Sequence, residues 1–172
     1  NPDGSVDCYE VPVPPKLTQV DDSANHLGLY TSLAIGSDGL PVISYFDFTA
    51  KSLKVAKCND PACAGGSETI TTVDDPANNV GMYTSIAIGA DGFPVISYFD
   101  FTAETLKAAN CNDLACLRIG ETLTPVDDPA NQVGTYTSIA IGTDGFPVIS
   151  YQDNTAGALK VAKCNNATCT LT

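Results

Sequence analysis

Six of the seven cysteines fall into three evenly spaced pairs, Cys58 and Cys63, Cys111 and Cys116, Cys164 and Cys169. Thiols placed in this way can oxidise to disulfides or, as thiolates, hold a zinc ion. Zinc sites bring two short Cys/His hooks together on one ion. Here the hooks stand far apart in sequence and the chain has a single histidine, His26. Disulfides, and with them an oxidising extracellular or cell-surface setting, are the expectation. Cys8 is left over, as a free thiol or as half of an intermolecular bridge.

Oxygen ligands form the second pattern. Asp21, Asp22 and Asn25 recur as Asp74, Asp75 and Asn78 and again as Asp127, Asp128 and Asn131. Three oxygen side chains within five residues could seat a calcium ion, which takes about six to eight oxygens. The alternative is that they cap the loop through side-chain to backbone hydrogen bonds, which the neighbouring Pro and Gly favour. Catalysis needs residues that break a near-perfect repeat; the few to weigh are His26, Arg118, Glu10 and Glu104, with Glu68 and Glu121 one repeat step apart. They compose no Ser/His/acid set, P-loop or His-Glu zinc motif, so a non-enzyme is expected and no cofactor beyond calcium is implied. Asn166, Ala167 and Thr168 spell one glycosylation sequon.

The elements that must position these residues repeat at a step of 53. Val20, Val73 and Val126 open matching units, and each cysteine pair keeps the same step. Within a unit, "YTSLAIG" alternates, "SDG" is a turn signal, and "LPVISYFDF" is β-branched and aromatic, which together read as a hairpin. "LKVAKC" and "ETITTV" supply a third and fourth strand. The stretch "FTAETLKAANC" in the second copy would also suit a short helix.

Four antiparallel strands per unit of this length is the accounting of a propeller blade. The phrases "YTSLAIGSDGLPVISYFD", "YTSIAIGADGFPVISYFD" and "YTSIAIGTDGFPVISYQD" resemble tandem repeats of secreted bacterial and archaeal β-propeller-like proteins. That resemblance implies an all-β fold of blades and a secreted setting, and carries no single activity. The "DG" turn is distantly similar to the Asp-box of sialidase-type propellers, but Asp38 and Gly39 are adjacent and no Trp follows. Glycosidase activity does not transfer.

Closed propellers have about four to eight blades. The expected organisation here is an arm over 1–19, then units over 20–72, 73–125 and 126–172, the third lacking its fourth strand. The missing strand has an in-phase equivalent at the other end of the chain. Lys16, Leu17, Thr18, Gln19 and Val20 align on Thr69 to Val73. An incomplete propeller completed by strand exchange between subunits is therefore expected, either as a head-to-tail fibre or as a closed six-blade dimer. The prolines of "VPVPPK" favour an extended arm, which suits reaching a partner or serving as a linker in a longer chain.

Phe46 and Phe48, with Phe99 and Phe101, share one strand face by alternation, where the third copy has Gln152 and Asn154. They are expected to cover a contact between blades or subunits. Tyr45, Tyr98 and Tyr151 on the opposite face suit core packing, or a glycan-stacking platform. A net charge of −12, with 8 basic against 20 acidic residues, opposes nucleic acid and anionic membranes. No run approaches the roughly 18 apolar residues of a membrane helix. Self and glycans remain as partners.

Overall fold

Each Asp-Gly pair reverses the chain because Gly39, Gly92 and Gly145 adopt φ of 80°, 87° and 82°, a region closed to most side chains. The preceding carboxylates fasten the turn, with the backbone N–H of Leu40, Phe93 and Phe146 donating to Asp38, Asp91 and Asp144 at 3.0, 3.0 and 3.1 Å. A second turn is held by Asp47, which accepts from the N–H of Thr49 and Ala50 at 2.9 Å each. Asp100 does the same for Thr102 and Ala103. These local bonds set the hairpin registers.

The computed structural model describes residues 14–21, 26–75, 79–117, 120–128 and 132–170. Among them there is no helix, and the strands are β1 (Leu29–Ile35), β2 (Pro41–Asp47), β3 (Ser52–Lys57), β4 (Thr69–Asp74), β5 (Val80–Ile88), β6 (Pro94–Asp100), β7 (Thr105–Asn110), β8 (Thr122–Asp127), β9 (Val133–Ile141), β10 (Pro147–Asp153) and β11 (Ala158–Lys163). They pair antiparallel into sheet 1 (β1-β2-β3-β4), sheet 2 (β5-β6-β7-β8) and a three-stranded sheet 3 (β9-β10-β11). The fold is all-β, as the alternating pattern predicts. The helix option for the second copy gives way to β7, because Leu106, Ala108 and Ala109 are all buried. Tertiary burial overrides the propensity of Ala and Lys for helix.

The sheets pack face to face in chain order. Val42, Leu53, Val55 and Val73 of sheet 1 meet Val80, Ile86, Ile96 and Tyr98 of sheet 2. The other face of sheet 2, with Val95, Leu106 and Ala108, meets Val133, Ile139, Ile149 and Tyr151 of sheet 3. Each seam also carries a buried hydroxyl bond. Thr84 donates to Ser44 at 2.9 Å in the first, and Ser97 and Thr137 lie 2.7 Å apart in the second. Burial of this kind removes apolar area at about 25 cal/mol per Å².

The phenylalanines divide. Phe46 and Phe99 are buried on the faces that carry Ser44 and Ser97, whereas Phe48 and Phe101 lie beyond the strand ends and are more than half exposed. The two rings of each pair meet edge to face at 6.4 and 6.3 Å. Gln152, at the equivalent place in sheet 3, is half-buried.

Candidate assembly interface

A three-part clamp recurs at the repeat step. Tyr98 Oη donates to Asp74 at 2.6 Å, and Lys107 Nζ reaches the same carboxylate at 2.5 Å and Asp100 at 3.7 Å. Asp74 closes β4 of sheet 1, whereas Tyr98 and Lys107 lie in sheet 2, so the clamp ties one sheet to the next. Asp127, closing β8, ties sheet 2 to Tyr151 (2.5 Å) and Lys160 of sheet 3 in the same way. The third clamp has Asp21 accepting from Tyr45 at 2.6 Å, with Lys54 Nζ at 3.9 Å from Asp21 and 2.9 Å from Asp47.

Three clamps thus serve two sheet-to-sheet seams. Asp21 stands towards sheet 1 as Asp74 stands towards sheet 2, and it lies in none of the described strands. The residues leading to it, Lys16 to Val20, belong to none of the three sheets, and Leu17 is 90% exposed. At the far end of the molecule β11 is the edge strand of sheet 3, in the place where β3 and β7 are covered by β4 and β8. By the repeat step of 53, Lys16 to Val20 are equivalent to Thr69 to Val73 of β4 and to Thr122 to Val126 of β8. The pairing of β3 with β4 sets Lys57, Ala56 and Val55 opposite Thr69, Ile70 and Thr71. Applied to β11, the same register sets Lys163, Ala162 and Val161 opposite Lys16, Leu17 and Thr18.

The cysteines form three disulfides, Cys58–Cys63, Cys111–Cys116 and Cys164–Cys169, with Cα separations of 4.9, 5.0 and 4.8 Å. Each closes a loop whose N–H groups point at Asp60, Asp113 or Asn166. Asp60 accepts from Ala62 at 2.7 Å and Ala64 at 3.0 Å, and Asn166 accepts from Thr168 and Thr170 at 3.1 Å each. The amide of the sequon residue Asn166 also donates to the carbonyl of Thr170 at 2.9 Å, so this side chain serves the loop. Cys8 lies outside the described residues, as do Asp22, Asn25, Asn78 and Asn131 of the candidate calcium sets. The first carboxylate of each set, Asp21, Asp74 or Asp127, is engaged by a tyrosine and a lysine as above. Asp75 and Asp128 are exposed.

Tyr45, Tyr98 and Tyr151 are buried, and their hydroxyls are used by the clamps. Burial, then the hydrogen bond and charge of the partner carboxylate, push the phenols of Tyr45 and Tyr151 far above their ordinary range, and burial does the same to Tyr98 with the charge of Asp74 next. A phenol whose folded pKa is raised stabilises the fold fully below its unfolded pKa of about 10. The stabilisation is lost as pH rises through the folded values. Unfolding midpoints in urea should therefore fall above about pH 10. A Tyr98→Phe chain should be weaker at neutral pH by about 1–3 kcal/mol, because Asp74 loses a buried donor. A midpoint that stays flat up to about pH 11 would refute the clamp as a source of stability.

Sequence reasoning missed a second set of tyrosines. Tyr30, Tyr83 and Tyr136, on β1, β5 and β9, lie in a row with ring centroids 4.5 Å apart at both steps and ring planes tilted by 47° and 46°. All three adopt φ of 54–55° at a β-bulge, a conformation rare for a non-glycine residue. Burial, and hydrogen bonding to Tyr30 and Tyr136, push the Tyr83 hydroxyl up to about 12. The outer rings, Tyr30 and Tyr136, remain exposed. Nothing in "YTS" marks a left-handed tyrosine, so only the fold exposes the row.

No protein-family model and no curated protein matches this chain. Among the described residues, no helix is long and apolar enough to cross a membrane, and no group of three or more His, Cys, Asp or Glu side chains is placed to hold a metal.

Proposed function

We propose that this chain is a non-enzymatic, extracellular structural protein whose three sheets are propeller-type blades and which polymerises head to tail. Residues 16–20 of one copy add as a fourth strand to β11 of its neighbour. The observation that carries this reading is the third clamp. Asp21 holds Tyr45 and Lys54 as Asp74 and Asp127 hold their partners, and the segment leading to it, Lys16 to Val20, belongs to none of the described sheets. An open β-edge and a spare strand of matching phase are complementary, since main-chain bonds supply affinity and side-chain alternation supplies register. The three disulfides suit an oxidising exterior.

Whether the addition closes into a six-blade ring or continues as a fibre depends on the rotation between neighbours. The expected result is a fibre: light scattering of the purified chain should give a mass that grows with concentration, and electron microscopy should show filaments. A folded, discrete monomer at micromolar concentration would sink the proposal.

The exposed Tyr30 and Tyr136 rings favour one second reading, a glycan-binding module of closed dimers. Stacking of sugar faces on such rings is a common mode of apolar contact. A glycan array run with and without chelator decides it, and silence under both conditions removes it.

A further inference from the structure

We infer that assembly also joins two faces: the outer face of sheet 3 packs on the outer face of sheet 1 of a second copy of this chain. The inference rests on the head-to-tail reading, because the neighbour that receives the arm is the one whose face is covered.

The argument is one of equivalent positions with unequal surroundings. Leu53 and Leu106 are 0% exposed between sheets, whereas Leu159 is 81% exposed; Val55 and Ala108 are buried, whereas Val161 is 61% exposed. On the opposite end, Ile86 and Ile139 are 6% and 9% exposed against 56% for Leu33. Each free face is thus a repeat of a face that is buried inside the molecule. The free face of sheet 3 repeats the side that accepts hydrogen bonds in both internal seams, and the free face of sheet 1 repeats the side that donates them. Two faces of the same kind would not reproduce that seam, so the occupant of each is the opposite end of another copy.

Backbone chemistry agrees with the side chains. Gly81 and Gly134, at φ of 101° and 103°, lie so close to the next sheet that a Cβ would come within 2.7 and 2.6 Å of the Cα atoms of Leu53 and Leu106. Gly28 is their equivalent, also at positive φ, and has nothing within 4 Å. Leu159 of a neighbour would lie against Gly28 as Leu53 and Leu106 lie against Gly81 and Gly134. At the same place the N–H groups of Val80 and Val133 donate across the seam to the carbonyls of Lys51 and Glu104, 3.0 Å each. Leu27 and Gly157 are their equivalents, and among the described residues neither makes such a bond. A cavity of about 230 Å³ lined by Val20, Asp21, Leu27, Ile43 and Tyr45 lies on sheet 1, where the covering residues of a preceding sheet would sit. Gln152, in place of Phe46 and Phe99, keeps the sheet 3 face less apolar while it is still exposed.

The test uses the hydroxyl pairs of the internal seams, Thr84 with Ser44 and Thr137 with Ser97. Their equivalents at the proposed seam are Thr31 of one copy and Ser150 of the other. Oxygens at hydrogen-bond distance mark positions where two cysteines can be bridged. Full-length Thr31→Cys and Ser150→Cys chains, each with Cys8→Ser, are mixed, oxidised mildly and run on a non-reducing gel. A cross-linked dimer that forms in the mixture and not from either variant alone is the expected result. Leu159→Arg, in the otherwise unaltered chain, should leave the monomer's circular dichroism unchanged and weaken assembly by ~30-fold or more, the scale of a central apolar anchor.

Assembly that persists in light scattering without the cross-link, and is indifferent to Leu159→Arg, overturns the face contact and leaves strand donation standing. Loss of both assembly and cross-link in chains with the native arm overturns both. Cross-linked dimers from single variants would mean that like faces meet, which also overturns the inference.

Discussion

A chain that begins at Val20 is expected to remain monomeric while keeping all three sheets. The truncation removes Lys16 to Gln19, which belong to none of the described sheets, and leaves Asp21 to hold Tyr45 and Lys54. Circular dichroism and the melting temperature should therefore change little. Association should suffer strongly, because the equivalent strand β4 pairs with β3 over Lys57↔Thr69 to Leu53↔Asp74. Each backbone bond of such a ladder nets about 1 kcal/mol. Leu17, now 90% exposed, would reach the state of Ile70 and Leu123, which are 37% and 38% exposed; that adds about 1 kcal/mol of apolar burial. Ordering the arm offsets part of this, but less than for a free peptide, since Asp21 already anchors its end and Pro14 and Pro15 limit its freedom. A loss of ~100-fold or more in assembly, read from the concentration at which scattering rises, is the expected outcome. Unchanged assembly would make the arm a linker.

Reduction of the disulfides should have the second large effect. Each closes a loop with a sequence separation of five, for which the chain-entropy relation gives about 2 kcal/mol. The three loops lie on separate sheets and share no residues, so their contributions should nearly add. Their sum, about 6 kcal/mol, is comparable with the 5–15 kcal/mol that separates most folded domains from the unfolded chain. A fall in melting temperature of roughly 10–25 °C on adding a reductant follows for a chain of this size. The loss should extend beyond the loops, because Cys111 and Cys116 pack in the seam between sheets 1 and 2, and Cys164 and Cys169 in that between sheets 2 and 3. An unchanged melt would mean that the Asp60, Asp113 and Asn166 caps hold these loops without the sulfur bridges.

Much of the architecture is legible in the residues. The Asp-Gly turns, the alternation of "YTSLAIG", the cysteine spacing and the step of 53 each state a local constraint, and local constraints are what a repeat writes several times over. The roles of Asp21, Asp74 and Asp127 were harder to read. In sequence they suggest an ion-binding loop or a cap; in space each faces a Tyr and a Lys that lie 24 and 33 residues further along. No short-range pattern carries a pairing over that separation. The same holds for Phe46 against Phe48, where simple alternation assigns a common face and the strand end at Asp47 divides their fates.

The sequence by itself indicated three repeats built of β-strands, cysteines paired within short loops, and a segment in the phase of a fourth strand ahead of the first unit. Hydrogen-bonding turns, side-chain alternation and loop closure act between near neighbours, so composition and spacing suffice for them. Only the tertiary structure decided that Tyr30, Tyr83 and Tyr136 form a row of ring contacts, that Asp21 engages Tyr45 and Lys54 as Asp74 and Asp127 engage their partners, and that Leu33 and Leu159 stand exposed where their equivalents are buried. Those facts depend on which sheet lies against which. In a repeat protein identical residues meet different surroundings at the ends, and a sequence does not record surroundings.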